Sequence, residues 1–159
     1  MPDDEPAARR VLGALAERRW TAATAESLTG GLLCARLVDV PGASAVVLGG
    51  IVAYATPLKH VLLDVPESLL AERGPVDPDV ALAMAHGARG RLGADVGIAT
   101  TGVAGPDPQD GHPPGTVHVA VVTPMGGRVL SVHLAGDRVR VRAGAVDAAL
   151  ALVLAALRG

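Results

Sequence analysis

At 159 residues, half of them apolar, the chain is long enough for one domain with a substantial core, and a single domain over 1–159 is expected. Aromatic residues make up 1 % and the formal net charge is -2, so the chain has neither rings for stacking bases nor an excess of cations, and nucleic acid is not an expected partner. The single cysteine, Cys34, excludes an internal disulfide and a cysteine-rich metal site; it reads as a small core residue.

The N-terminus reads Met1-Pro2-Asp3-Asp4-Glu5, and its acids are the opposite of a signal peptide's basic start. These acids precede Pro6 and suit a first helical turn, with Val11, Leu12 and Leu15 on one face up to Arg19. A strand over Thr21 to Ala25 leads into a helix that begins near Gly30 and reaches about Val38. Pro41-Gly42 marks a turn, and Ala45 to Tyr54 a strand whose Gly49-Gly50 pair implies a bulge or a close backbone approach. Short helices are expected over Pro57 to Leu63 and Pro66 to Glu72, the second ended by Gly74.

Asp77 and Pro78 open a helix to Arg91 with Val80, Ala81, Met84, Ala85 and Ala88 as its apolar positions. Ala94 to Thr100 has the unbroken apolar character of a strand buried on both faces. A loop rich in Gly, Pro and Asp follows from Gly102 to Gly115. Thr116 to Thr123 and Arg128 to Leu134 form a hairpin through Met125-Gly126-Gly127, and a helix closes the chain from Asp137 or Arg138 to Leu157. The apolar run Ala148 to Leu157 is too short to span a bilayer, so a cytoplasmic protein without a membrane partner is expected. This order of elements predicts an α/β fold, a three-layer α/β/α sandwich on a mixed, mostly parallel sheet with one antiparallel strand.

Four segments could carry chemistry. Thr24-Ala25-Glu26-Ser27-Leu28-Thr29-Gly30-Gly31 sets hydroxyls and glycines at a strand-to-helix turn, which can hold an anion or activate a serine and stabilise an oxyanion. The N–H groups at the start of the Gly30 helix are the expected oxyanion donors. The second segment holds Tyr54, the only tyrosine, and Lys59, the only lysine; a buried amine can accept a proton at neutral pH, as arginine cannot. The third, Thr101 to Pro106, includes Gly102 and Gly105 and lacks the lysine of a P-loop, but could offer backbone donors to a single phosphate. In the fourth, Arg138, Arg140 and Arg142 share a face if the segment is a strand, whereas a helix aligns Arg138 with Arg142; either can grip a phosphate. Three of these segments begin where a strand ends, so Ser27, Tyr54 and Thr101 are expected on one rim of the sheet. The five histidines lack a metal-ligand spacing, and Asp107, Asp110 and His112 are a weak alternative, so neither a metal nor another cofactor is expected.

The motifs T-A-E-S-x-T-G-G at Thr24 to Gly31, D-V-P-G-A-S at Asp39 to Ser44 and G-G-I-V-A-Y at Gly49 to Tyr54 with Lys59 resemble the CinA C-terminal domain family. So do T-G-V-A-G-P at Thr101 to Pro106, Gly115-Thr116-Val117 and Gly136-Asp137-Arg138, all in family order from about Pro6 to Leu157. The resemblance is to the stand-alone form. It implies an α/β/α sandwich and metal-independent hydrolysis of the carboxamide of nicotinamide mononucleotide to nicotinate mononucleotide and ammonia. It also implies Ser27 as nucleophile, Lys59 as proton acceptor and Tyr54 as an assistant, with Thr29, Gly30, Gly31, Thr101, Gly102 and Gly105 lining the substrate site. Arg142, with Arg138 as the second candidate, would face the phosphate, and the chain would form a homodimer or higher homo-oligomer.

The chain departs from the family pattern at two places. Family members usually carry Ser-Asn after the tyrosine and Glu-Ala before the lysine, where this chain has Ala55-Thr56 and Pro57-Leu58. The position after the serine, often Cys, is Leu28. Loss of hydrogen-bonding groups beside the base is a route to reduced activity. A mononucleotide-binding module without turnover and an oligomerising regulatory domain are the alternatives.

Overall fold

The computed structural model describes residues 5–159, so the acids Asp3 and Asp4 lie outside the described residues. The elements are α1 (Ala7–Arg18), β1 (Ala22–Glu26), α2 (Leu32–Val38), a 3-10 turn (Ala43–Ala45), β2 (Val47–Val52), α3 (Thr56–Leu63), α4 (Glu67–Arg73), α5 (Pro78–Leu92), β3 (Val96–Gly102), β4 (Thr116–Thr123), β5 (Gly126–His133) and α6 (Arg138–Leu157). One five-stranded sheet runs in the order β2-β1-β3-β4-β5. β1 pairs in parallel with β2 and β3, whereas β4 is antiparallel to both neighbours. Four strands therefore share one direction and β4 alone opposes them, the mixed α/β/α arrangement expected.

Alternation along the strands divides the interior in two. Ala22, Val96, Ile98, Val117, Val119 and Val121 face one way, into a core shared with α1, α2 and α6. Ala23, Ala25, Ala99, Ala120 and Val122 face the other way, into a second core built largely from α5. The second face is nearly all Ala, so α5 can approach the sheet closely. Gly97 shows how closely: a Cβ there would lie 2.0 Å from the Ala85 carbonyl oxygen. Burial of these two apolar layers is the main force holding the sandwich together.

Differences from the expected boundaries have local causes. β1 continues to Glu26, because the strand pairs with both neighbours up to that residue. α2 starts at Leu32, two residues late, since Gly30 and Gly31 adopt φ of +57° and +106° and hold the chain in a turn. The bulge expected in β2 is present as a register shift: Ala22 pairs with Val47 and Ala23 with Gly49, so Leu48 is skipped. The β4–β5 turn is Pro124-Met125, one step earlier than expected, because Gly126 and Gly127 pair with Thr123 and Val122. Asp77 caps α5 by accepting from the Asp79 and Val80 N–H groups. No helix among the described residues is long and apolar enough to cross a membrane.

This topology gathers the C-terminal ends of β1, β2, β3 and β5 on one edge, together with the start of β4. The chain leaves β1 toward β2 and later returns across it to β3, so the ends of β1 and β3 flank a topological switch point, the usual site of a ligand crevice in α/β sheets.

Candidate active site

Ser27 follows directly on β1, and its N–H is fixed by the Thr100 carbonyl of the neighbouring β3 at 3.0 Å. Lys59 lies in α3, which begins soon after β2 ends. The two side chains meet: Lys59 Nζ is 2.9 Å from Ser27 Oγ, 2.8 Å from the Ala53 carbonyl oxygen and 3.3 Å from the Tyr54 carbonyl oxygen. Lys59 is completely buried and Ser27 nearly so. Burial pushes the Lys59 amine down from 10.5 to about 8. All three of its partners are uncharged, so no carboxylate offsets the loss of water.

The partner set has a chemical consequence. A neutral amine has two N–H groups and one lone pair. The two carbonyls can only accept, so they take the two N–H groups. The lone pair then faces Ser27 Oγ, which must donate its proton to the amine. In this state the pair is already aligned for removal of the serine proton.

Ser27 and Lys59 open onto a cavity of about 370 Å³, within the range of about 300–1,000 Å³ common for small-molecule sites. Its walls are Tyr54, Thr101, loop residues 102–109 and Arg138. Thr101 is anchored to the Pro75 carbonyl at 2.6 Å, which leaves its hydroxyl proton engaged. Arg138 Nη1 donates to the Gly105 carbonyl at 2.7 Å and Nη2 to the Tyr54 hydroxyl at 3.1 Å. Tyr54 is 60 % exposed and its hydroxyl meets Arg138, whereas its backbone carbonyl meets Lys59. Tyr54 thus reaches the pair through its main chain.

The structure brings Ser27, Tyr54, Lys59, Thr101, Gly102, Gly105 and Arg138 together around one cavity and leaves Thr29, Gly30, Gly31 and Arg142 outside its lining. The three arginines lie on a helix, with Arg138 and Arg142 one turn apart. Arg142 turns to the serine turn itself, where Nε donates to the Leu28 carbonyl at 2.9 Å and Nη2 to the Thr29 carbonyl at 3.1 Å. Arg140 is exposed and outside the lining. His60 turns its Nδ1 to the Val65 carbonyl at 2.9 Å, away from Lys59. Among the described residues no three His, Cys, Asp or Glu side chains converge as a metal site, and Asp107, Asp110 and His112 form none.

Glu26 is the residue that the sequence reading missed. It is completely buried. Its carboxylate accepts from the N–H groups of Gly31, Leu33 and Cys34 at 3.2, 2.8 and 3.0 Å, from Thr29 Oγ1 at 2.6 Å and from Thr24 Oγ1 at 3.4 Å. Thr29 gives its only hydroxyl proton to Glu26, so Thr100 Oγ1, 2.8 Å from Thr29 Oγ1, is the donor to Thr29. The N–H groups at the start of α2 are therefore occupied, which corrects the expectation that they serve an oxyanion. The Gly30 N–H is also engaged, by the Ser27 carbonyl at 3.1 Å. Among the described residues, the N–H groups of Leu28 and Thr29 have no protein acceptor. A lone acid closing an otherwise uncharged strand was the available signal.

An α/β/α sandwich with a buried serine–lysine pair at its switch point is the class that fold and site define. The family model for the CinA C-terminal domain matches residues 4–157, and the chain belongs to that family. Among curated relatives, a CinA-like protein of Frankia casuarinae is 56 % identical over 149 residues, covering 94 % of this chain and 34 % of that protein. A CinA-like protein of Geobacter sulfurreducens is 49 % identical over 127 residues, covering 79 % of this chain and 31 % of that protein. The chain thus spans about a third of the length of these relatives. A competence-damaged protein (CinA) superfamily structure from Klebsiella pneumoniae superposes with a TM-score of 0.91 at 33 % identity, covering 97 % of this chain and 99 % of that one. A competence/damage-inducible protein structure from Agrobacterium tumefaciens gives 0.87 at 36 % identity, covering 96 % and 94 %.

Proposed function

We propose that this domain hydrolyses the carboxamide of nicotinamide mononucleotide, giving nicotinate mononucleotide and ammonia. The observation that carries this reading is the 2.9 Å contact between the buried amine of Lys59 and Ser27 Oγ at the base of a cavity. Membership of a family that the sequence resemblance links to this reaction supplies the substrate.

Lys59 takes the proton from Ser27 as Oγ attacks the carboxamide carbon. The carbonyl oxygen becomes an oxyanion, for which the N–H of Leu28, a residue of the cavity wall, is the available donor. A donor on the residue after the nucleophile is the arrangement of a nucleophile elbow. Lys59 then gives its proton to the departing nitrogen, the carbon–nitrogen bond breaks, and ammonia leaves an ester on Ser27. Water attacks the ester while Lys59 accepts its proton, and serine is regenerated with the carboxylate as product. Arg138, at the outer wall, is the cation in place for the phosphate, with guanidinium N–H groups beyond the two held by Gly105 and Tyr54.

A nucleotide-binding domain without turnover draws on the same contacts, since a charged ammonium also donates to three acceptors. Incubating the purified protein with nicotinamide mononucleotide separates the two readings. Stoichiometric ammonia and nicotinate mononucleotide support hydrolysis; binding without either product supports the alternative.

A further inference from the structure

The turn carrying Ser27 is gripped from two sides by charged side chains that do not line the cavity. Glu26 holds the N–H groups that follow the turn. Arg142, half-buried and reaching from α6, holds the two carbonyls within it, those of Leu28 and Thr29. Among the described residues no carboxylate forms an ion pair with Arg142. Arg142 Nη2 passes the turn at contact distance, 3.4 Å from where a Cβ on Gly30 would lie.

In a trans peptide the C=O and the following N–H point in opposite directions. Drawing the Leu28 carbonyl toward Arg142 therefore aims the Thr29 N–H away from it. Drawing the Thr29 carbonyl the same way aims the Gly30 N–H away as well, and that group closes the turn on the Ser27 carbonyl. Two fork-like bonds from one guanidinium thus fix two consecutive peptide planes. Arg138 lines the cavity and Arg142 does not, so the N–H groups that Arg142 has to spare do not reach the substrate space while it holds the turn.

We infer that Arg142 is a positioning residue, locking the peptide planes of turn 27–30 so that Ser27 Oγ stays against Lys59, and that it does not read the phosphate. The consequence for catalysis rests on the deamidase reading above; the lock itself does not.

Two measurements on Arg142→Ala and Arg142→Lys test this inference: amide hydrogen exchange at Gly30, whose N–H closes the turn on the Ser27 carbonyl, and steady-state kinetics on nicotinamide mononucleotide and its phosphate-free riboside. Removing the fork should speed exchange at this amide by about tenfold or more, with β3 unchanged. It should lower kcat on the mononucleotide by about 100-fold, the scale for misplacing a reacting group by about 1 Å, with KM within about threefold. Lysine, which can hold one carbonyl, should recover part of both losses, and it carries the test if the alanine variant fails to fold. A rise in KM confined to the phosphorylated substrate, with kcat and exchange unchanged, overturns the inference and makes Arg142 a phosphate ligand. Unchanged exchange alone also overturns it. Faster exchange in a protein that releases no ammonia keeps the lock and removes the deamidase reading instead.

Discussion

Lys59 Nζ and Ser27 Oγ lie 2.9 Å apart although 32 positions separate them in the chain. The contact depends on β1 and β2 lying side by side in parallel, so that the turn after one and the helix after the other share an edge. Nearby carbonyls hold the amine on two further sides, and burial keeps water and counter-charges away. A lysine so placed is costly as a cation and useful as a base.

That distinction sets the expectation for two substitutions. Lys59→Arg and Lys59→Met should both abolish turnover to a similar degree, since arginine retains charge but cannot accept a proton at neutral pH. Ammonia release by each variant checks this. An active arginine variant with only a raised KM would make Lys59 an anion anchor.

The pH profile follows from the same burial. The amine must be neutral to act, so kcat/KM should rise with pH and level off above about 8. A profile flat from pH 6 to about 9 would remove Lys59 as the base.

Stability should carry the complementary signature. The folded-state value of Lys59 lies below its unfolded value, about 8 against 10.5. Between those two pH values the unfolded chain holds a proton that the folded chain has released, so stability rises with pH across that window. The whole increment is roughly 3 kcal/mol at about 1.4 kcal/mol per tenfold. Denaturant unfolding of the wild type, referred to Lys59→Met at each pH, should show it as a difference growing from pH 8 to 10.5. A constant difference would contradict the buried-amine picture.

Glu26→Gln should destabilise the fold by roughly 1–3 kcal/mol, because an amide nitrogen would face the N–H groups that the carboxylate now accepts from. Chemical denaturation measures this directly. Unaltered stability would mean that the start of α2 is satisfied in another way.

Arg138→Ala should weaken binding of the mononucleotide by about 1.5–3 kcal/mol, the scale of a hydrogen bond to a charged group, and leave the riboside nearly unaffected. Calorimetry with both ligands decides it; equal losses would assign Arg138 to holding the Tyr54 and Gly105 walls.

Much of this arrangement was legible in the residues. Hydrophobic alternation and Gly/Pro punctuation located the strands and helices, and the ends of β1, β2 and β3 did bring Ser27, Tyr54 and Thr101 to one rim. The lone Lys59 stood out because arginine serves everywhere else in the chain. What stayed hidden was the allocation of hydrogen bonds. Sequence spacing shows that N–H groups gather after Ser27, but not that Glu26 folds under the turn and occupies them. Nor can a helical i, i+4 pair of arginines reveal that Arg138 faces the cavity while Arg142 faces the backbone. The second outcome depends on how α6 sits against the turn, a tertiary relation with no local signature.

The most direct test of the central claim is ammonia release from nicotinamide mononucleotide by the wild type and by Ser27→Ala, measured side by side with a check that both fold. Removing the attacking oxygen should leave the fold and nucleotide binding nearly intact and reduce turnover to below about a hundredth of wild type. An alanine variant retaining more than about a tenth of that turnover would contradict the account, and a water molecule activated directly by Lys59 would replace Ser27 as the nucleophile.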